Sequence, residues 1–436
     1  MIAATLGSCL TYLLVLVGTV YALDPNKRVT QYIHTAWRTQ DGSAPAADMV
    51  SIAQTSDGFL WFTTVRGDLY RFDGVRFVPW ALSANVSIRT IRNVFGDHSG
   101  GLWIVGEDEI VHLKEGMVRS HFELKGVQST QNISEDSDGS LWVVRGSMSS
   151  LDVPLCHVTE QALKCFGKDD GIPIAPINSL LADGRGGFWL GGSTALVHWH
   201  AGVSETYRTK GQIVSLVPDA DGSLWVGMLG EGRERGLAKW KNGTIKPFLI
   251  STFDGNKVAV TRMISDRQGN LWVGTAEKGV FRIHGNAVEH YSHTEGLSSD
   301  SVWSLFEDRE GIVWAATSNG IDSFRDPAVT TFSALEGLAA DAAVGVLASK
   351  DGAIWVANNN SFDRIGNGTV SSIRTGAGLP GDQVGAMLED RAGNFWVGVD
   401  DGLYLFNNGN FRRIPEPTHQ PLGFVVGIAE DVDGNI

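Results

Sequence analysis

The chain has 436 residues, 43% hydrophobic and 19% charged, a globular composition too long for one ordinary core. A formal charge of −14 and the lack of any Lys/Arg cluster argue against nucleic acid as a partner and against docking on anionic lipid. The 53 glycines and 13 prolines are spread without low-complexity runs, so they signal turns and not disorder.

Met1–Leu23 contains no charged residue, carries the apolar run Leu13–Val17 and ends Val20-Tyr21-Ala22, a small-residue signal-peptidase pattern. The segment reads as a signal peptide; it is also just long enough for an uncleaved N-terminal anchor. Either places the remainder, from residue 24, outside the cytoplasm. Val29–Thr35, VTQYIHT, has the pattern of a last strand and compares with Val288–Thr294, VEHYSHT.

From there one unit recurs. Tryptophans stand at Trp61, Trp103, Trp142, Trp189, Trp225, Trp272, Trp314, Trp355 and Trp396, spaced by 42, 39, 47, 36, 47, 42, 41 and 41 residues. A glycine lies three residues before each one, and an aspartate six before in all but two copies, where Thr55 and Ser349 stand instead. A further copy begins at Asp431 and Gly434. Such a period with internal turn signals predicts a β-propeller of four-stranded blades. In the Trp272 copy the expected strands are Val260–Ser265, Leu271–Thr275, Gly279–Ile283 and Val288–Tyr291, with Asp266–Gly269 a tight turn. The repeated indole is a wedge between blades, since a residue present in every blade cannot mark one site.

Within the third unit, Cys156 and Cys165 flank a hairpin-like stretch, CHVTEQALKC. If Val158 pairs with Leu163, an oxidising compartment lets the cysteines bridge; two separate buried thiols are the alternative. A propeller closes by combining strands from both chain ends in one blade. Val29–Thr35 is therefore expected to complete the Trp314 unit, making residues 24–325 a seven-bladed β-propeller. Asp326-Pro327 then breaks the pattern, and Val329–Phe332 resembles another closing strand. Residues 326–436 read as the first blades of a second, incomplete propeller, a single ten-bladed ring being the alternative.

DRQGNLWVGT, DRAGNFWVGV and the linkers EGLSSDSVWSLFEDREG and AGLPGDQVGAMLEDRAG resemble the two-component regulator propeller repeat of bacterial sensor proteins. The resemblance covers residues 29 to 436. It implies the periplasmic, ligand-sensing region of a sensor, with a membrane segment and a histidine kinase in further parts of a longer parent, a possible homodimer through those parts, and membrane contact only through a terminal anchor. The Trp142 unit departs from the pattern with VVRGSMSSLDVPLCHV, and the Trp225 unit inserts Gly230–Arg235, GEGRER.

Blade strands alternate in direction, so the Asp-x-x-Gly turns share one face and the more variable loops share the other. Ligand contacts are expected on the varied face, near the channel mouth. Eleven residues before each tryptophan stand Val50, Arg92, Gln131, Asn178, Val214, Thr261 and Trp303, a mixture suited to an oligosaccharide through hydrogen bonds and ring stacking. Solvated or locally paired channel residues are the plainer account. Arg66, Arg145, Arg233 and Lys278 follow tryptophan strands and suit a small anionic ligand. Nothing identifies a nucleophile with a paired acid and base, so no catalytic residue or cofactor is assigned; a secreted lyase or glycosidase and a protein-binding scaffold are the competing readings. His34, His157, His284, His290 and His293 follow no metal spacing.

Overall fold

A computed structural model describes residues 23–80, 88, 90–123, 133–136, 138–145, 154–174, 176–340, 342–366, 368–416 and 422–436. Of the expected signal segment 1–23, residues 1–22 lie outside the described residues, as does Gln131, whereas Leu23 is buried in the core. Each tryptophan unit folds into one sheet built on antiparallel strands that follow in chain order, with a short parallel strand, Gly378–Leu379, added at the edge of the Trp355 unit. These nine sheets are blades one to nine, numbered by their tryptophans from Trp61 to Trp396. Blade six consists of Val260–Ser265, Leu271–Thr275, Val280–His284 and Ala287–Tyr291. Among the described residues no helix is long and apolar enough to cross a membrane.

The turn that defines the unit follows from its residues. Asp266 Oδ1 accepts the N–H groups of Gln268 (3.0 Å) and Asn270 (2.8 Å), and Gly269 has φ +80°, which a side chain would resist. Asp266 Oδ2 then receives Trp272 Nε1 at 2.8 Å, so the turn aspartate also fixes the indole. The same bond joins Trp314 to Asp308 and Trp396 to Asp390. Opposite the tryptophan, on the third strand, stands a basic residue in most blades: Arg71, His112, His157, His198, Lys239, Arg282 and Arg364. His112 and His198 stack on their indoles at 4.2 Å and reach the turn aspartates Asp97 and Asp183. Gly101 permits this, because a Cβ there would meet Asp97 Oδ2 at 2.5 Å and His112 Nε2 at 2.6 Å.

Each tryptophan of blades one to seven packs into the following blade. Trp61 meets Ile91, Val94 and Leu102, Trp272 meets Val302, Leu305 and Val313, and Trp314 of blade seven meets Met49, Ile52 and Phe62 of blade one. Seven such interfaces close a ring. The sheet of blade seven is completed by Ile33–Arg38, paired antiparallel with Gly320–Arg325. The expected closing strand, Val29–Thr35, is thus displaced toward the C-terminus: Val29–Gln31 forms a 3₁₀ turn whose Val29 is buried beside Leu23, Tyr32 and Trp272. Val329–Phe332 forms no strand, and Val329 is exposed. Blades eight and nine pack together around Trp355, Phe362, Phe395 and Val397.

A second device crosses the joints on the Asp-turn face. Glu307 accepts the N–H of Arg267 (3.0 Å), Glu389 that of Lys350 (2.8 Å), and Glu430 that of Arg391 (2.9 Å). At the ring closure Gln54 Oε1 takes this role for Arg309, at 2.8 Å.

In blade three Val158 pairs with Leu163 and Cys156 with Cys165, and the two cysteines are bonded Sγ to Sγ. Their separation of nine residues closes a short loop. Replacing both cysteines with serine should therefore cost about 2–3 kcal/mol, read as a lower urea midpoint at unchanged slope. An unchanged midpoint would mean the bridge constrains nothing that the strand pairing does not already hold.

Candidate functional site: the central channel

The first strands of successive blades contact one another around the axis, so they supply the channel wall. In eight of the nine blades this strand is interrupted by a bulge at one position, between Met49 and Ser51, Ile91 and Asn93, Ile177 and Ser179, Ile213 and Ser215, Val260 and Arg262, Val302 and Ser304, Ala343 and Gly345, and Val384 and Ala386. The extra residue in the ring is Val50, Arg92, Asn178, Val214, Thr261 or Trp303, the set singled out by its distance from the tryptophan. A bulge disrupts the ladder and bends the strand, which re-aims the side chains beside it.

In four of these strands the residue after the bulge lies on the cavity. A space of about 160 Å³ is lined by Ser51, Asn93, Arg262 and Ser304, together with Gln54 and the aromatic rings of Phe95 and Phe306. Of the described bulge residues only Val50 borders it. Ser51 Oγ is hydrogen-bonded to Asn93 and receives the N–H of Val94 at 3.2 Å, and Ser215 receives that of Met263 at 2.9 Å. These hydroxyls therefore tie neighbouring first strands as well as making the wall polar. Among the described residues Arg262 is the one ionisable group lining this space, and burial pulls its guanidinium below the usual arginine range. A guanidinium among hydroxyl and amide groups suits an anion or an oxygen-rich polar molecule.

The cavity shares Gln54, Phe95, Gly96, Ile133 and Phe306 with a vestibule of about 490 Å³. This mouth lies on the Asp-turn face, not the varied face where the sequence directs attention. Its charged groups are Asp97, His98, Glu135, Arg267, Glu307 and Arg309. Glu135 lies 2.7 Å from His98 Nδ1 and raises the pKa of that imidazole through a hydrogen bond and its charge. Burial raises Glu307, against the nearby Arg267. Arg267 donates to the carbonyls of Asp308 (2.7 Å) and Arg309 (2.8 Å), so it is held by the joint it spans.

The other expected ligand residues are dispersed. The guanidinium of Arg92 is paired with Glu107 of its own blade. Asn178 is half-buried, and its Nδ2 has no hydrogen-bond partner among the described residues. Trp303 is half-buried on its bulge, Arg66 is exposed in a turn, and Arg145 lies just after a tryptophan strand, its N–H bonded to the carbonyl of Pro154. Asp136, Asp138 and His157 bring potential ligand atoms within 4.8 Å of one another. Asp136 accepts Trp142 Nε1, and Ser140 bonds both Asp138 and His157, so the group is a hydrogen-bonded turn.

A signal for the polar wall was present. Ten residues before each ring tryptophan stand Ser51, Asn93, Asn132, Ser179, Ser215, Arg262 and Ser304, polar in every copy.

The two-component regulator propeller profile matches residues 254–277, 296–319 and 378–401. No match was found among curated proteins. Among solved structures, the extracellular domain of the hybrid two-component system BT3049 from B. thetaiotaomicron superposes with a TM-score of 0.62 at 18% identity, over 89% of this chain and 55% of that one. The extracellular domain of BT4673 from the same organism gives 0.52 at 17%, over 88% and 53%. The chain thus spans about half the length of these two relatives. A streptogramin B lyase gives 0.54 at 15% identity, over 67% of this chain and 97% of its own. At these identities the structural likeness speaks to fold; the matched profile speaks to the repeat. At these three stretches the recurring unit matches the two-component regulator propeller repeat, so the chain carries that repeat.

Proposed function

We propose that the chain is the extracytoplasmic ligand-sensing region of a two-component sensor, and that its ligand enters the ring channel and contacts Arg262. The observation that carries this is the polar belt: one half-buried guanidinium among Ser51, Asn93 and Ser304, reached from a charged vestibule. In this reading residues 24–325 form the sensing ring and residues 326–436 open a second propeller. The ligand is a small anion or an oligosaccharide end. It acts by binding two arrangements of the propellers with different affinity, which is the only way a ligand can shift such an equilibrium. A kinase and a dimer interface in further parts of a longer parent complete the reading.

The test is thermal unfolding of the chain from Leu23 onward against a panel of small anions and oligosaccharides. A ligand at 100 times its dissociation constant adds about 2.7 kcal/mol. One class is expected to raise Tm, the shift vanishing in Arg262→Gln and surviving in Arg92→Ala, because Arg92 is already paired with Glu107. No shift from any compound, with unfolding still cooperative, would overturn the proposal. The lyase reading has likeness of one ring as its support, and one fold hosts many chemistries; turnover abolished by Glu135→Gln would favour it.

A further inference from the structure

Blade five carries two excursions, and the structure shows what they build. Gly230–Arg235 follows its tryptophan strand. Its outermost strand leads into the short pair Leu249–Ile250 and Phe253–Asp254 and the 3₁₀ turn Gly255–Lys257. The excursions brace each other through Asn256, whose Oδ1 accepts the N–H of Glu234 at 2.9 Å and whose carbonyl accepts that of Gly232 at 2.8 Å. Asp254 in turn accepts the Asn256 N–H at 3.0 Å, and Lys278 of blade six holds Glu231 at 2.6 Å. Glu234 is fixed at φ +64°, a left-handed conformation uncommon for a residue with a side chain.

Beside this braced loop, against the outer strand of blade four, lies a cleft of about 320 Å³ on the varied face. Its volume falls in the range of small-molecule sites. The floor is apolar, made by Met228, Ala238, Ile245 and Pro247. Met228 and Ala238 belong to the buried core of the blade, so the floor is rigid. The rim carries charge. Arg208, at the end of the strand Val203–Arg208, is exposed and makes no ion pair or side-chain hydrogen bond among the described residues; Lys210 is held across the rim by Glu234 at 2.7 Å. A free guanidinium over an apolar floor is notable in a chain of net charge −14, where a surface carboxylate is the commoner neighbour.

We propose that this cleft binds a small amphipathic carboxylate, aromatic or medium-chain. The apolar body lies on Met228, Ile245 and Pro247, where a thioether also favours an aromatic edge. Arg208 takes the carboxylate in a two-point hydrogen bond, and Lys210 exchanges its contact with Glu234 for the ligand. A bare inorganic anion leaves the floor wet, and a neutral sugar leaves Arg208 unmatched, so neither fits both halves of the site. The cleft is separate from the channel, and the inference stands whether or not the channel binds.

The test is isothermal titration of the chain from Leu23 onward with phenylacetate, octanoate and the uncharged phenylacetamide. At least one carboxylate is expected to bind, and phenylacetamide at least tenfold more weakly than phenylacetate. Arg208→Glu should weaken the carboxylate at least tenfold at unchanged Tm, since the residue is exposed. Lys246→Glu makes the same change to an acidic side chain on the opposite side of the strand carrying Ile245 and Pro247, and should leave binding within about twofold, as expected for an exposed charge. Arg262→Gln in the channel should leave it intact. Absence of binding by both carboxylates, equal binding of the amide, or equal losses in Arg208→Glu and Lys246→Glu would each overturn the proposal.

Discussion

Replacing Trp272 with alanine is expected to destabilise the ring by about 3–5 kcal/mol, among the largest losses available to a single substitution in this chain. The indole is fully buried, its ring centroid lies 5.4 Å from that of Phe324 and 6.5 Å from that of Tyr32, and Nε1 donates to Asp266 at 2.8 Å. The substitution therefore opens a cavity between blades six and seven and removes one partner from a buried carboxylate, two costs that act together. Trp396 supplies the control. It makes the same bond to Asp390, at 2.9 Å, but is only partly buried. Its replacement should cost at most about 2 kcal/mol. Urea unfolding of the two variants checks this; equal losses would show that the turn bond, and not packing into the next blade, sets the contribution of the repeated tryptophan.

That contrast also explains which parts of the molecule were legible beforehand. Each joint of the ring must bury an indole against the next blade and fix it with a turn, so Trp, Gly and Asp recur at constant offsets and the fold is readable from them. The polar channel wall was misplaced by one residue for an equally physical reason. A strand period of two cannot reveal a bulge, and Val50, Arg92, Asn178, Thr261 and Trp303 took the place that belongs to Ser51, Asn93, Arg262 and Ser304. The vestibule was missed because the Asp-turn face looks uniform. The residue just after each turn aspartate varies nonetheless, and His98, Arg267 and Arg309 at that position supply much of its charge. The closing strand was legible as a strand and wrong in extent, because nothing in VTQYIHT alone says that Val29 and Tyr32 are drawn into the core of blades six and seven.

What draws them there is Arg282, and its replacement by methionine is the second large effect expected. In blades two, four and five the basic residue opposite the tryptophan reaches the turn aspartate, as Lys239 does with Asp219 at 2.5 Å. In blade six that carboxylate is already taken by Asn270 (2.7 Å) and Trp272 (2.8 Å). Arg282 turns instead to Glu289 at 2.8 Å, to the Tyr32 hydroxyl and to the carbonyl of Lys27. It is nearly inaccessible to solvent, and burial raises the pKa of the Tyr32 hydroxyl far above the ordinary tyrosine value. Methionine keeps most of the volume and removes every one of these bonds. Glu289 remains partly exposed and can recover water, which places the loss near the lower end for a broken buried pair, about 3 kcal/mol. The local consequence should be larger than the global one. Lys27 is tied to Asp326 at 2.8 Å, Thr30 to Glu336 at 2.6 Å and Gln31 to the carbonyl of Thr331 at 3.2 Å, so the segment Arg282 anchors also fastens the ring to the chain leaving it. Trypsin should cleave after Lys27 or Arg28 rapidly in Arg282→Met and slowly in the parent, while Glu289→Gln, which keeps an acceptor for Arg282, stays resistant. Equal resistance of Arg282→Met with a stability loss below about 1 kcal/mol, the size of one ordinary net hydrogen bond, would mean that the apolar contacts of Leu23, Val29 and Tyr32 hold this segment without the guanidinium.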